Sequence, residues 1–481
     1  DLAGNPVPTA ATINALILTG GGTLLGTTSA STGGTATASF SNLGISGLAG
    51  ARTILFTTSG LASDTSAAVQ LGAGNPAQVT AVSATAQNGT VRRPVGAPPA
   101  VLVEDAAGNP VDGATVTFAI AGGGGTLNGA SQTTGAAGIA SVTGWTLGSA
   151  VGTNTVTATV TGSGITGNPV SFTAAAGPGA AAELALSGGN NQSAAIGTAV
   201  ATAPSVLVTD AFGNPVPGVA VNFAVTTGGG SITGGAAVSG ANGVATLGSW
   251  TLGNVAGVNT LTASSAGLTG SPVGFTATAT AGTAATITKN GGDNQTRTVG
   301  GAVAVRPSVL VEDAGGNPVA GVTVTFAVAS GGGSITGGTV VTNASGVATV
   351  GSWTIGTTAG GNTLTATAAG LAGSPLTFTA TGVAGAANAA ASSATVPGGV
   401  QGQTTTITIQ LRDQFGNAVT SGGASVLANV TGANPGTAVV ADLGTGIYLA
   451  TYLPQNAGTD QISITLNGTP IGGSPYSSVI P

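Results

Sequence analysis

The phrase Asp-x-x-Gly-Asn occurs at Asp1, Asp105, Asp210, Asp313 and Asp413, at intervals of 104, 105, 103 and 100 residues. Pro follows in four copies, at Pro6, Pro110, Pro215 and Pro318, and Ala418 replaces it in the last. A second marker, Trp-Thr-[Leu/Ile]-Gly, begins at Trp145, Trp250 and Trp353, each 40 residues after the Asp of its own repeat. Two markers in constant register over three copies exclude accident of composition. The chain therefore folds about a hundred residues at a time, a length too great for a solenoid repeat and right for a sandwich domain. The 86 glycines lack the every-third spacing of a collagen helix.

Within a repeat the apolar period is two. Val219, Val221, Phe223 and Val225 alternate with Ala220, Asn222 and Ala224, and Val322, Val324, Phe326 and Val328 with Thr323, Thr325 and Ala327. Ala114, Val116, Phe118 and Ile120 form the matching set one repeat earlier. This alternation predicts half-buried strands, with Gly, Pro and Asn marking turns between them. No stretch combines helical periodicity with caps, so the expected architecture is all-β sandwiches in a row.

The side-chain inventory excludes much chemistry. Of 481 residues, 7 are Lys or Arg, 13 are Asp or Glu, and none is His, Cys or Met. No imidazole base, thiolate nucleophile, zinc site, haem ligand or iron–sulfur cluster can be built from this set. One lysine (Lys289) and six arginines make no basic surface for nucleic acid or anionic lipid. Thr, Ser and Gly interrupt every apolar run that could span a bilayer, so no membrane insertion is expected in this segment.

Each motif has a structural reading. In Asp-x-x-Gly-Asn-Pro the Asp folds back on its own backbone, Gly and Asn tolerate positive φ, and Pro fixes the exit. On that basis Asp105, Asp210, Asp313 and Asp413 are assigned as structural turn residues, the rival role being a calcium ligand, which needs six or more oxygens. Glu104–Asp105 and Glu312–Asp313 are adjacent on a strand and point to opposite faces, which suits no shared substrate. Trp145, Trp250 and Trp353 are assigned as core anchors. Phe212 and Phe415, inside turns, are the candidates for contact with a partner. Sequons at Asn88, Asn191, Asn294, Asn343, Asn429 and Asn467 offer glycosylation in a suitable host, and the spacing of 103 predicts that the first three share one loop or strand end. No residue is assigned a catalytic, cofactor-binding or metal-binding role, and no enzyme activity is expected.

Val101–Val111, Pro204–Val216 and Pro307–Val319, with the downstream Ser-Gly-Ala-Asn-Gly-Val-Ala-Thr and Ser-Trp-Thr-Leu-Gly segments, resemble bacterial immunoglobulin-like domains of the intimin/invasin group. The first repeat departs from them, with Phe40 near where Trp would fall. Gly446–Pro454 and Asn467–Tyr476, which hold all three tyrosines, resemble a filamin-type immunoglobulin repeat. The resemblance implies a rod of immunoglobulin-like β-sandwich domains, in a surface or secreted bacterial protein that often presents an adhesive tip. It divides the chain at 1–72, 73–176, 177–281, 282–384 and 385–481. Filamin-type repeats are also partner-binding modules, some accepting an added strand at a sheet edge.

Asp1 stands where the second repeat reaches Asp105, so the first repeat is expected to lack roughly two strands. Either the sequence belongs to a longer chain or another subunit supplies them. Outward positions are Thr, Ala, Ser and Asn, and a net charge of −6 gives little resistance to self-association. The function expected is thus a non-enzymatic rod of about 200 Å, at roughly 40 Å per domain, in an extracellular stalk or self-associating filament. Its partners are copies of itself or neighbouring domains, and a host receptor or glycan if the last domain is adhesive. The rival setting is a virion fibre or decoration protein.

Overall fold

The computed structural model describes residues 5, 6 and 8–481; Asp1 lies outside the described residues. Among the described residues every regular element is a β-strand, and no helix is long and apolar enough to cross a membrane. Thr115–Gly122 shows why. Val116 and Phe118 are buried while Thr115, Thr117 and Ala119 are exposed, so period-two patterning fits only a pleated strand with one wet face.

The second unit sets the pattern. One sheet has the order Ile139–Ser141, Ala100–Glu104, Gln78–Ala81. The facing sheet has the order Ser131–Thr133, Thr115–Gly122, Gly152–Val160, Val170–Gly177, Ala86–Thr90. A ribbon of Thr126–Asn128 with Gly144–Thr146 closes one end. The third unit (strands from Ala181 to Thr280) and the fourth (Ala284 to Val383) repeat this layout. In the fifth, a sheet of Ser393–Thr395, Thr405–Gln410, Ile447–Tyr452 and Val439–Asp442 faces one built on Val426–Gly432, Gly458–Leu466 and Tyr476–Ile480. The first unit has a sheet centred on Thr12–Thr19 and Gly50–Thr57 and a ribbon of Thr23–Leu25 with Gly44–Ser46. Among its described residues there is no counterpart of the three-stranded sheet, and Leu16 and Leu18 stay exposed.

Trp145, Trp250 and Trp353 are at most 1 % exposed, each at the centre of its unit's core. An aromatic side chain of this size removes about 150–250 Å² from water, about 4–6 kcal/mol at ~25 cal/mol per Å². Their indole N–H groups find no acceptor, which costs about 1–3 kcal/mol each. Area and shape therefore outweigh polarity at this position. Across the ribbon the three pair with Leu127, Ile232 and Ile335. In the first unit the equivalent pair is Leu24 with Ile45, so Ile45 takes the tryptophan's place. Phe40 does not; a longer connection displaces it, and it packs against Phe56 with ring centroids 5.5 Å apart and the planes tilted by 46°.

The glycine tracts are close-packed. Asn259 is fully buried and its Oδ1 accepts the Gly253 N–H at 3.0 Å. A Cβ on Gly253 would lie 1.9 Å from the Gly228 carbonyl oxygen, so only glycine fits. Every hydrogen-bonded strand pair lies within one unit. The accessible surface is 22469 Å², against about 15,500 Å² for a compact protein of this mass. The units therefore stand in series and share little surface.

Candidate functional site at the junctions between units

The Asp-x-x-Gly-Asn turns sit at the junctions. In the second unit the chain leaves Ala100–Glu104, and Asp105 turns its carboxylate inward. Oδ1 accepts the backbone N–H groups of Ala107 (2.8 Å) and Asn109 (2.9 Å). Oδ2 accepts the N–H of Gly74 in the connection from the first unit (2.7 Å) and the Asn109 Nδ2–H (2.8 Å). Gly108 has φ +81°, which closes the turn and which a residue with a Cβ adopts only at a cost. Asn109 is not left-handed, so its place depends on its amide rather than on tolerance of positive φ.

That amide crosses to the preceding unit. Asn109 Nδ2–H donates to the Gly47 carbonyl (3.1 Å) and its Oδ1 accepts the Ala49 N–H (2.6 Å). Asn214 does the same with Ser149 O (2.8 Å) and Val151 N–H (3.0 Å). Asn317 takes Asn254 O (3.1 Å) and Ala256 N–H (2.8 Å), and Asn417 takes Thr357 O (2.8 Å) and Ala359 N–H (2.7 Å). Each Asn amide thus pairs with the backbone of the loop entering a long strand of the unit before it. Asp210, Asp313 and Asp413 hold Gly179, Gly282 and Gly385 of the connections as Asp105 holds Gly74. One carboxylate therefore ties three things together: its own turn, the connecting segment, and the amide that grips the neighbour.

The electrostatics follow from the donors. Burial pushes the Asp105 carboxyl up, but the N–H bonds from Gly74, Asn109 and Ala107 outweigh it and bring it down to about 2. Asp210, Asp313 and Asp413 are lowered by the same balance of burial against Asn and backbone N–H groups. With both oxygens bonded to N–H donors, Asp105 presents no vacant pair of oxygens to a cation. Among the described residues no cluster of three His, Cys, Asp or Glu side chains could hold a metal.

The other sequence candidates fall into place around this. Glu104 points away from Asp105 and accepts the Gln78 Nε2–H at 2.8 Å. Phe212 lies under the Arg92 guanidinium of the second unit, 6.0 Å from ring centroid to carbon. Phe415 packs beside Gly300 of the fourth unit, where an added Cβ would come within 3.4 Å of the ring. Both turn phenylalanines thus contact the neighbouring unit of the same chain. Asn191 and Asn294 share a left-handed position just before a strand, with φ of 54° and 51°. Asn88 does not share it: it lies within the strand Ala86–Thr90, because the Asp-to-Asp interval there is two residues longer than the sequon spacing. Ala86 holds the place of Asn191 and Asn294. The next residues, Gln87, Gln192 and Gln295, are equivalent and brace the segment ten residues on through Ala97, Thr202 and Val305.

Sequence reading found the Asp and missed the reach of the Asn. The receiving loops use backbone atoms, so they carry no side-chain signature. The nearest signal is a glycine with φ of 127–139° that follows each of them: Gly50, Gly152, Gly257 and Gly360. Gly458 has the same geometry in the fifth unit. There the loop is held from within, since Asn434 Oδ1 accepts Gln455 N–H and Asn456 N–H, and its Nδ2–H donates to Asn456 O. The fifth unit's Asp460 replaces the buried Asn154, Asn259 and Asn362 and accepts the Asn434 N–H at 2.7 Å.

Residues 98–173 match the bacterial Ig-like domain (group 1) family model, and residues 384–477 the filamin/ABP280 repeat model. No curated protein sequence matches the chain. Among solved structures it is similar to the Escherichia coli adhesin FdeC, at 18 % identity over 63 % of this chain and 99 % of that one, TM-score 0.41. It is similar to invasin, a bacterial integrin-binding protein, at 22 % identity over 62 % and 59 %, TM-score 0.33. The Lin-41 filamin domain aligns at 25 % identity over 20 % and 98 %, TM-score 0.18.

Two predictions follow from the junction geometry. Asn214→Ala removes both bonds to the second unit, about 1–3 kcal/mol of coupling. It should broaden the distance distribution between spin labels in the second and third units, introduced at engineered cysteines in this cysteine-free chain, while the third unit stays folded with a melting temperature lowered by the lost donor to Asp210 and the other units keep theirs. Asn214→Asp should broaden it further by setting a second carboxylate against Asp210. The pH response carries a definite sign: a carboxyl lowered on folding stabilises fully above its ordinary value near 4 and loses that contribution as pH falls through its folded value. Across the first junction the same distribution should stay narrow at pH 4 and broaden with a midpoint near 2; broadening centred near 4 would contradict the lowered Asp105 carboxyl.

The chain is built of tandem immunoglobulin-like units, of the bacterial group 1 type at residues 98–173 and of the filamin-repeat type at residues 384–477.

Proposed function

We propose that this chain is a non-enzymatic structural spacer, a rod of five immunoglobulin-like domains divided at 1–72, 73–176, 177–281, 282–384 and 385–481. It would serve in a stalk or filament on the outside of a bacterial cell. The observation that carries this reading is the recurrence of one Asp–Asn latch at all four junctions. A chain of freely jointed binding modules has no use for a buried, fully bonded polar group at each joint, whereas a spacer of defined length does. The assigned structural roles follow from it: Asp105, Asp210, Asp313 and Asp413 hold the joints, and Trp145, Trp250 and Trp353 hold the cores.

Neutral faces support self-association as a further part of the same reading. The five-stranded sheets of the second and third units contain no charged residue in any of their strands. Two such faces meet without the cost of stripping water from charges. Adhesion by the fifth unit is a second reading, favoured by a shallow cavity of about 380 Å³ lined by Thr404, Asn434, Thr437, Tyr452 and Leu453.

Small-angle scattering of the intact chain tests the spacer reading. The maximum dimension should be near 200 Å, from about 40 Å per domain, with the cross-section of a single sandwich. Replacing Asn109, Asn214, Asn317 and Asn417 together by Ala should shorten the mean dimension without unfolding the domains. A maximum dimension near that of a compact 44.3 kDa protein, or one insensitive to the four substitutions, would contradict it.

A further inference from the structure

Tension applied along a chain enters a unit through its first strands and leaves through its last. In the second unit Ala86–Thr90 and Val170–Gly177 lie side by side and run parallel, paired from Ala86 with Thr173 to Thr90 with Gly177. Thr173 N–H to Thr85 O (2.8 Å) and Val91 N–H to Gly177 O (3.0 Å) extend the pairing at both ends. The third unit pairs Gln192–Ala195 with Val273–Thr280, and Ile196 N–H closes on Thr280 O at 2.9 Å. The fourth pairs Gln295–Thr298 with Leu376–Val383, and Val299 N–H closes on Val383 O at 3.0 Å.

Parallel entry and exit strands have a mechanical consequence. Pulling one by its amino end and the other by its carboxyl end slides them lengthwise, so all the bonds between them are loaded together. The fifth unit is different. Ser393–Thr395 pairs antiparallel with Thr405–Gln410, and Tyr476–Ile480 pairs with Gly458–Leu466. Its entry segment meets its exit strand through Gly399 N–H to Val479 O (3.1 Å) and Ser478 Oγ–H to Pro397 O (2.8 Å).

We propose that the chain is a tension-bearing tether of graded strength, in which the second to fourth units are shear clamps and, of the four units with two facing sheets, the fifth yields first. Opening the fifth unit would release about 250–300 Å of chain, at ~3.3–3.6 Å per residue, while the latched units stay folded. The inference rests on the spacer reading for its biological sense, but its test reads strand geometry alone, so its failure would leave the latches and the rod dimension as they are.

Force spectroscopy of the intact chain, held by its ends, tests it. Against the second to fourth units the fifth is recognisable by a contour increment about 40 Å shorter, from about a dozen fewer residues between its first and last strands at ~3.6 Å each; the first unit's increment is shorter again. The fifth should rupture before the second to fourth units, at no more than about half their force, following the smaller number of bonds loaded together. Ala194→Pro deletes a backbone donor on the same side of the strand as Ile196 and should bring one of the three strong ruptures down towards the fifth. Val206→Ala truncates a fully buried residue in the other sheet of that unit; it should lower the unit's urea midpoint and leave its rupture force in the strong class. A fifth unit as strong as the rest, an Ala194→Pro chain with three strong ruptures, or a Val206→Ala chain weakened as much as Ala194→Pro would each overturn the proposal.

Discussion

A buried carboxylate in a chain with seven cations in 481 residues has to be neutralised by N–H dipoles, and at each junction described here four N–H groups do so. That constraint organises the molecule. The turn must close so that its own N–H groups reach the Asp, the connecting glycine must pass within 2.9 Å of it, and the Asn must give one amide hydrogen to it. Once those demands are met, the remaining hydrogen and the oxygen of the Asn amide point outward, matched to a backbone C=O and N–H of the neighbouring unit. Orientation between units thus comes from a group whose first task is to satisfy an internal charge.

The fold was legible wherever it depends on local pattern. Alternation in segments such as Val219–Val225 announced half-buried strands, and the constant 40-residue step from Asp to Trp announced repeated sandwiches. The bonds Asp105 accepts from Ala107 and Asn109 are local, of the kind that its sequence neighbours suggest. The reach of Asn109 was not legible, since its partners at Gly47 and Ala49 are backbone atoms some sixty residues away. Counting residues also misled in two places where loop lengths differ. Phe40 stood near the expected tryptophan position while Ile45 holds it, and Asn88 kept the sequon spacing while Ala86 holds the place of Asn191 and Asn294.

The same economy extends to the surfaces. Outward positions filled by Thr, Ser, Ala and Asn hydrate the sheets without charge, so long-range electrostatics does little to orient or separate neighbouring molecules. Stiffness has to be built from short-range contacts, and the Asn latches, the Phe212–Arg92 contact and the Phe415–Gly300 contact are such contacts. The fifth unit closes its own receiving loop with Asn434, so the latch has a direction along the chain: each unit grips the one before it.

The central claim is that the latches fix neighbouring units relative to one another. Residual dipolar couplings of the intact, isotopically labelled chain in a weakly aligning medium test it most directly. A latched chain predicts that the second, third and fourth units are described by one alignment tensor of the same magnitude and orientation. Separate tensors of differing magnitude for those units would show that they reorient independently and would contradict the account.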